Sequence, residues 1–484
     1  MVYEALLTIS AGHKSALGTC LKNTEEATKW KVVGLSAYGK TLSMVARSLQ
    51  QEYKEEERAV LVVLLLLTYF ECFMENPNGA LRHLWAAIQL LQKSEGRLSG
   101  IDLAEMVPVQ DVVLRLDFLA QKLVPYACSS LVRTSDLAFM HAPFWNRSTA
   151  EFPGIVRPDP VTTEGHSLVR LVGGHNTISK VVWGGWYPKD DRPHREELMG
   201  FYDEMLLWKS TSPATFAAYT NLDEDQPSSM EDFYALPIPP EPLPSSSSEA
   251  ALNIVMFNGY LGCALAMIAS TEEDSTAREM EIFRLAYQNM RICAGLIHGS
   301  YKPVEALNMG VSMFLYHGFR RCYSKEWQAW THTALQALPH EGLSSGLAFA
   351  NTLEIMDQVH QAQLYHVPSP SIAVQHRSPL GSICERLVPM LMPRGDDGRF
   401  TAFYLRYGTS AEDSDERAVR ILAKATWEQD GNGMMHSLKL DNYGLAESHT
   451  LDSTTMFAPW RQSVEHGWHG FLSPSNLGRV APVG

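Results

Sequence analysis

The sequence predicts an all-α protein, built as an irregular array of antiparallel helical hairpins with long loop insertions. Three observations carry that reading. The stretch 58–93 is apolar from Ala59 through Phe70 and on to Cys72, Phe73 and Met74, then breaks at Glu75-Asn76-Pro77-Asn78-Gly79. It resumes with Leu81, Leu84, Trp85, Ile88 and Leu91 on one helical face, so two helices fold back on each other through a five-residue turn. Apolar residues elsewhere recur at three- and four-residue intervals, and no strict repeat period appears, which favours unequal hairpins over a consensus repeat.

The elements follow in order. Residues 1–50 read as two helices, one marked by Ala5, Leu6, Ile9 and Leu17, the next by Tyr38, Leu42, Val45 and Leu49. The charged segment 51–58 is a solvated linker or helix start. The first arm of the hairpin, apolar on nearly every side, belongs at the centre of the fold. A helix over 101–124 carries Val109, Val112, Val113, Leu116, Leu119 and Ala120 on one side, with Arg115 and Asp117.

Between 130 and 195 the residues Pro143, Pro153, Pro158, Pro160, Pro188 and Pro193 make long helices unfavourable except over about 166–182. Helix returns over 195–219, with Leu198, Phe201, Tyr202, Met205 and Trp208 in a stripe. The acidic, Pro- and Ser-rich segment 221–250 reads as a mobile linker or surface loop and as the main internal boundary. Helices are expected next over 250–270, 275–298, 308–322, 324–338 and 343–367, with a last helix over 413–427. The tail, containing Trp460, Trp468 and Phe471, reads as loop. The implied organisation is N-terminal hairpins (1–130), a loop-rich insertion with a helix (131–220), the linker (221–250), a C-terminal helical part (251–430) and an irregular tail (431–484).

Composition narrows the function. Of 484 residues, 45% are apolar and 10% aromatic, which is the composition of a folded chain with a sizeable core. Net charge is −14, and no cluster of four or more Lys and Arg is found, so direct nucleic-acid binding is not expected. The seven cysteines (Cys20, Cys72, Cys128, Cys263, Cys293, Cys322 and Cys384) are scattered, odd in number and never spaced CxxC, which argues for a reduced intracellular protein without a zinc site. The apolar run 59–74 contains Glu71 and is shorter than the ~20 residues a membrane span needs. The first residues have no basic region or cleavage site, so neither a span nor a signal peptide is expected. Asn146-Arg147-Ser148 matches a glycosylation sequon by chance on that reading.

Several stretches together resemble a known family, the regulatory "fungal-specific transcription factor" domain, or middle homology region, of zinc binuclear cluster activators. They are the small-residue segment LTISAGHKSAL (7–17), AYGKTLSMVARSL (37–49), LVVLLLLTYFECF (61–73), HLWAAIQLL (83–91), Leu114-Arg115-Leu116-Asp117, and further on MFLYHGFRRC (313–322) with LQALPHEGL (335–343). In such activators a six-cysteine zinc cluster and a basic linker precede the domain. Here Met1 falls at the first helix and no such cluster occurs, which implies a fragment or a regulator without its own DNA-binding module.

Other motifs are weaker. Gly342-Leu343-Ser344-Ser345-Gly346 matches G-x-S-x-G, but a helical pattern precedes it where a nucleophile elbow needs a strand. Asp190-Asp191, Glu272-Glu273-Asp274 and Asp396-Asp397 read as solvated loop charges, and no DDxxD cluster accompanies them. The seventeen histidines show no HxxxH or HExxH spacing, so no metal site is expected. His317, Arg320 and Arg321, at the end of an apolar helix, are candidates for capturing an anionic ligand or for complementing the helix dipole. Glu71 and His83 fall on either side of the Asn-Pro-Asn-Gly turn and are candidates for a structural brace between the arms. Catalytic residues are not identified. The expected function is a regulatory protein of a secondary-metabolite pathway, nuclear or cytoplasmic, without cofactor, acting through a protein partner or small-molecule metabolite. The alternative is a biosynthetic enzyme recruited from the same fold, such as a Mg²⁺-dependent terpene cyclase.

Overall fold

The apolar run that follows Glu57 forms the most buried helix of the N-terminal part. The computed structural model describes residues 1–20, 23–50, 57–74, most of 79–90, positions 109, 112 and 116, 159–175, 195–219, position 222, positions 227–229 and 232, 235–269, 276–299, 310–321, 325–338, 346–364, 387–391, 399–407, 419–429, 435–442 and 449–450. These residues are predominantly helical. The chain divides into two compact units, one made of Met1–Val156 with Glu305–Asn308 and Phe457–Gly484, the other of Arg157–Val304 with Met309–Met456.

In the first unit α1 (Val2–Cys20) and α2 (Thr24–Gln50) precede α3 (Glu57–Phe73). Asn23 starts α2: its Oδ1 accepts the Glu26 N–H at 3.3 Å and its Nδ2 donates to the Glu26 carboxylate at 3.1 Å. On α3 the side chains of Val60, Leu61, Val63, Leu64, Leu65, Leu67 and Phe70 are buried, each worth about 1.5–3 kcal/mol in transfer from water. Val45 of α2, together with Leu84, Ala87, Ile88 and Leu116, completes this core.

The stripe expected for α1 is corrected. Leu6 and Leu17 are exposed, and the buried face is Ala5, Thr8, Ala11 and Ser15. The reason is close approach to α2, whose buried face is equally small at Ala27, Ala37 and Thr41. A Cβ on Gly18 would lie 3.0 Å from the Ala27 backbone nitrogen. Ser15 adds a hydrogen bond to the Ala27 carbonyl at 2.9 Å.

The second unit contains α4 (Pro160–Gly174), α5 (Arg195–Thr211), the short α6 (Pro213–Phe216), α7 (Ser248–Ala269), α8 (Thr276–His298), α9 (Gly310–Arg321), α10 (Lys325–Ala337) and α11 (Gly346–Leu364). α4 begins earlier than the 166–182 expectation because Pro160 occupies its first turn and Asp159 caps it, accepting from the N–H groups of Val161 at 2.9 Å and Thr162 at 3.1 Å. A hydrogen bond from the Thr162 hydroxyl, and after it these backbone bonds, hold the Asp159 carboxyl below the usual range.

α7 is buried along nearly its whole length, and it is the one helix among the described residues long and apolar enough to cross a membrane. The rest of the protein buries 78% of its most apolar stretch. A polar layer fixes it against α8. The Asn258 Nδ2 donates to Gln288 Oε1 at 2.6 Å and Asn289 Oδ1 at 2.9 Å, and Asn289 Nδ2 donates to the Val255 carbonyl at 3.0 Å. Asn258 is 3% exposed, so Asn258→Ala leaves two buried acceptors without this donor and is expected to cost about 1–3 kcal/mol, read from urea unfolding.

The described residues of 221–250 lie as a strap along the surface of α8. Arg284 Nε donates to the Pro227 carbonyl at 2.9 Å, Gln288 Nε2 to the Leu222 carbonyl at 2.8 Å, and Arg291 Nε to the Glu241 carbonyl at 3.1 Å. The Leu243 N–H donates to the Arg291 carbonyl at 3.0 Å, while Leu236 and Ile238 pack on a cluster of Phe283, Ala286, Tyr287, Met290 and Trp327. The described residues of the strap lie within the second unit.

The helix expected over 413–427 is corrected: its described residues, 419–427, form strand. Five antiparallel strands run β1 (Leu387–Leu391), β2 (Phe400–Tyr407), β3 (Val419–Gln429) and β4 (Met435–Asn442) in that order, with β5 (His449–Thr450) on β3. Ala423, Ala425 and Trp427 are buried at every second position, opposite Ala402 and Tyr404 on β2. Trp427 stacks on Phe400 with centroids 5.7 Å apart. Period two, not three or four, describes this segment. The expected helix over 101–124 is described only at 109, 112 and 116, which are helical; the rest of it lies outside the described residues.

Candidate functional site

Three polar side chains from distant parts of the sequence meet inside the first unit. α3 delivers Glu71 and the helical stretch 79–90 delivers His83, and they are 6% and 2% exposed. His83 Nε2 lies 3.7 Å from Glu71 Oε1. The third member, which the sequence reading placed only in an apolar stripe, is Tyr38 of α2. Its hydroxyl donates a short hydrogen bond to Glu71 Oε1 and lies 2.8 Å from His83 Nε2. A hydroxyl has one proton, so with Tyr38 donating to Glu71, His83 Nε2 carries the hydrogen that points to the Tyr38 oxygen. The order of donation is then His83 to Tyr38 to Glu71.

The surroundings hold this chain in place. The Tyr38 ring stacks on Phe70, centroids 5.1 Å apart, and meets the His83 ring edge-on at 5.8 Å. Phe70 is itself wedged between two glycines: a Cβ on Gly12 or on Gly34 would come within 2.9 Å of its ring. Burial, and then the neighbouring Glu71 charge, push the Tyr38 hydroxyl far above the ordinary tyrosine range. Burial, again followed by Glu71, does the same to the adjacent Cys72 thiol. The arrangement stores a proton-donating tyrosine beside a carboxylate, and it ties three helices at one point.

Residues 1–142 match the family model of the fungal specific transcription factor domain. No curated protein and no solved structure matches the chain. The matched segment contains the Tyr38–Glu71–His83 cluster. Its cluster braces helices α2 and α3 with the stretch 79–90.

The remaining sequence candidates are placed as follows. His317, Arg320 and Arg321 lie on the last turn of α9, and their side chains fall outside the described residues. The positions of Ser344 and Ser345, Asp190-Asp191, Glu272-Glu273-Asp274, Asp396-Asp397, Asn146 and the three tail aromatics also lie outside them. Among the described residues no group of three or more His, Cys, Asp and Glu side chains is arranged to hold a metal ion. Cys72, Cys263 and Cys293 are buried. Alkylation of the native protein with iodoacetamide near pH 8, followed by peptide mass mapping, should leave Cys72 unmodified until denaturant is added.

The signal for Tyr38 existed in part. Its position in the α2 stripe is legible, but the partners of its hydroxyl stand 33 and 45 residues away. In the second unit Glu164 was likewise missed: its carboxylate accepts the N–H groups of Ala214 at 3.1 Å and Thr215 at 2.6 Å and so caps α6 from α4. Trp208 Nε1 donates to the Glu164 carbonyl at 3.1 Å and to Ser167 Oγ at 2.9 Å, joining α5 to the same corner.

Proposed function

We propose that this chain is a transcription-factor-like regulatory protein of a fungal secondary-metabolite pathway, acting in the nucleus and reaching DNA through a protein partner and not through its own residues 1–484. The observation that carries the reading is the match of residues 1–142 to the fungal specific transcription factor domain. A net charge of −14 without a run of four basic residues supports the second clause, because phosphate neutralisation supplies much of any direct affinity for DNA. A protein partner is supported by large apolar side chains that α1 and α2 leave in solvent, among them Tyr3 (75% exposed), Leu17 (50%), Val32 (62%) and Leu35 (48%). The pathway class comes from the family resemblance alone.

Chromatin immunoprecipitation of the tagged full chain tests the mode of action. Promoter occupancy is expected for the wild type and is expected to fall when Val32→Asp and Leu35→Asp are combined, while the purified protein alone leaves promoter DNA unshifted. A salt-sensitive shift by the purified chain overturns the partner-mediated mode. Release of diphosphate from a prenyl diphosphate with Mg²⁺ overturns the regulatory reading as a whole. Transcript profiling of a deletion strain tests the pathway class.

A further inference from the structure

The strap over α8 contains an exposed serine in an unusual electrostatic position. Ser228 Oγ donates to Asp232 Oδ2 at 2.5 Å, and the Ser229 N–H donates to the same oxygen at 3.1 Å. In return Ser229 Oγ accepts the Asp232 N–H at 3.1 Å, so the two ends of this turn hold each other. In sequence Ser228 is followed three residues later by Glu231 and four later by Asp232, and preceded by Asp223, Glu224 and Asp225. Such a segment complements the basic substrate groove of an acidophilic Ser/Thr kinase. The second, independent feature comes from α8. Arg284 Nε donates to the Pro227 carbonyl at 2.9 Å, which brings a guanidinium to the residue immediately before Ser228. Its other N–H groups have no partner among the described residues.

We propose that Ser228 is a phosphorylation site for an acidophilic Ser/Thr kinase, and that the phosphate locks the strap to α8 through Arg284. In the transfer, Ser228 Oγ attacks the γ-phosphorus of ATP. The bond from that phosphorus to the bridging oxygen breaks, ADP leaves, and the serine proton passes to the carboxylate base of the kinase. The product has no proton left to donate to Asp232 and carries about −1.5 to −2 charge at neutral pH. Its contact with the Asp232 carboxylate turns from attraction to repulsion. The guanidinium beside Pro227 offers the opposite charge and the planar pair of donors that phosphate oxygens accept. The strap then trades an internal hydrogen bond for a bridge to α8, which changes how firmly the surface formed by 222–243 is held.

The experiment treats the purified full chain with a casein-kinase-type acidophilic kinase and ATP. Tandem mass spectrometry is expected to place phosphate on Ser228 in the wild type and to find none there in Ser228→Ala. Hydrogen exchange in peptides from 227–243 is expected to slow about tenfold on phosphorylation, the size of one charge-assisted hydrogen bond. Arg284→Gln should abolish the slowing and Arg284→Lys should keep part of it, which separates loss of the bridge from loss of folding. The site is overturned if the kinase modifies a control acidic peptide but not Ser228. The lock is overturned if phosphorylated wild type exchanges as fast as unmodified protein, or if phosphorylated Arg284→Gln is slowed as much as wild type.

Discussion

Gly295→Ala is expected to destabilise the second unit by about 1–3 kcal/mol, seen as a lower midpoint in urea unfolding with an unchanged slope. A Cβ at this position of α8 would sit 2.0 Å from the Leu243 carbonyl oxygen and 2.7 Å from its carbon. Backbone, unlike a flexible side chain, has no rotamer in which to escape. The carbonyl is pinned further because the Leu243 N–H is bonded to the Arg291 carbonyl at 3.0 Å and the Leu243 side chain is buried. Either the strap lifts from α8, losing that bond and the Arg291–Glu241 contact, or α8 shifts within its own core. If Gly295→Ala unfolds at the wild-type midpoint, the close seating of the strap on α8 is wrong.

Tyr38→Phe is expected to cost the first unit about 1.5–3 kcal/mol, because it removes the donor to a buried carboxylate while keeping the ring stacked on Phe70. The pH dependence gives an independent check. Tyr38 has a folded-state proton affinity raised far above its ordinary pKa of 10.0, chiefly by burial. Once pH exceeds that ordinary value the unfolded chain releases the proton and the folded chain retains it. Stability contributed by this group is therefore complete below pH 10 and declines as pH rises beyond it. Circular dichroism melts between pH 9 and 11 should show a steeper alkaline loss for wild type than for Tyr38→Phe. Parallel curves for the two proteins would mean that Tyr38 is not the protonated member of the cluster.

How far the sequence discloses these features depends on the range over which the information is carried. The central hairpin is legible because an apolar run, two turn dipeptides and a helical stripe are all local signals, and its geometry alone brings Glu71 and His83 towards one another. Tyr38 is not, because its place among Leu42 and Val45 describes the ring while its hydroxyl answers to groups on other helices. α1 misleads in another way. Leucines ordinarily mark the core side of a helix, but here Ala5, Ala11 and Ser15 face inward so that two backbones can close on each other, and Leu6 and Leu17 are left outside. The β3 segment mixes Val, Ile, Leu, Ala and Trp so densely that both periods find matches, and only pairing with β2 decides between them. The strap resembles a linker because its Pro, Ser and acidic residues do not build a core, and the groups that fasten it lie on α8.

That last arrangement bears on how the protein can change over generations. Arg284, Gln288 and Arg291 stand at i, i+4 and i+7 on α8 and grasp the carbonyl oxygens of Pro227, Leu222 and Glu241. Every amino acid carries a carbonyl, so these three grips do not depend on which residue the strap presents. Substitutions at exposed strap positions would leave these three grips intact, whereas a single exchange at any of the three α8 positions would remove one of them. Surface chemistry on the strap is thereby free to drift towards new kinases or new partners while its course over the helix is inherited unchanged.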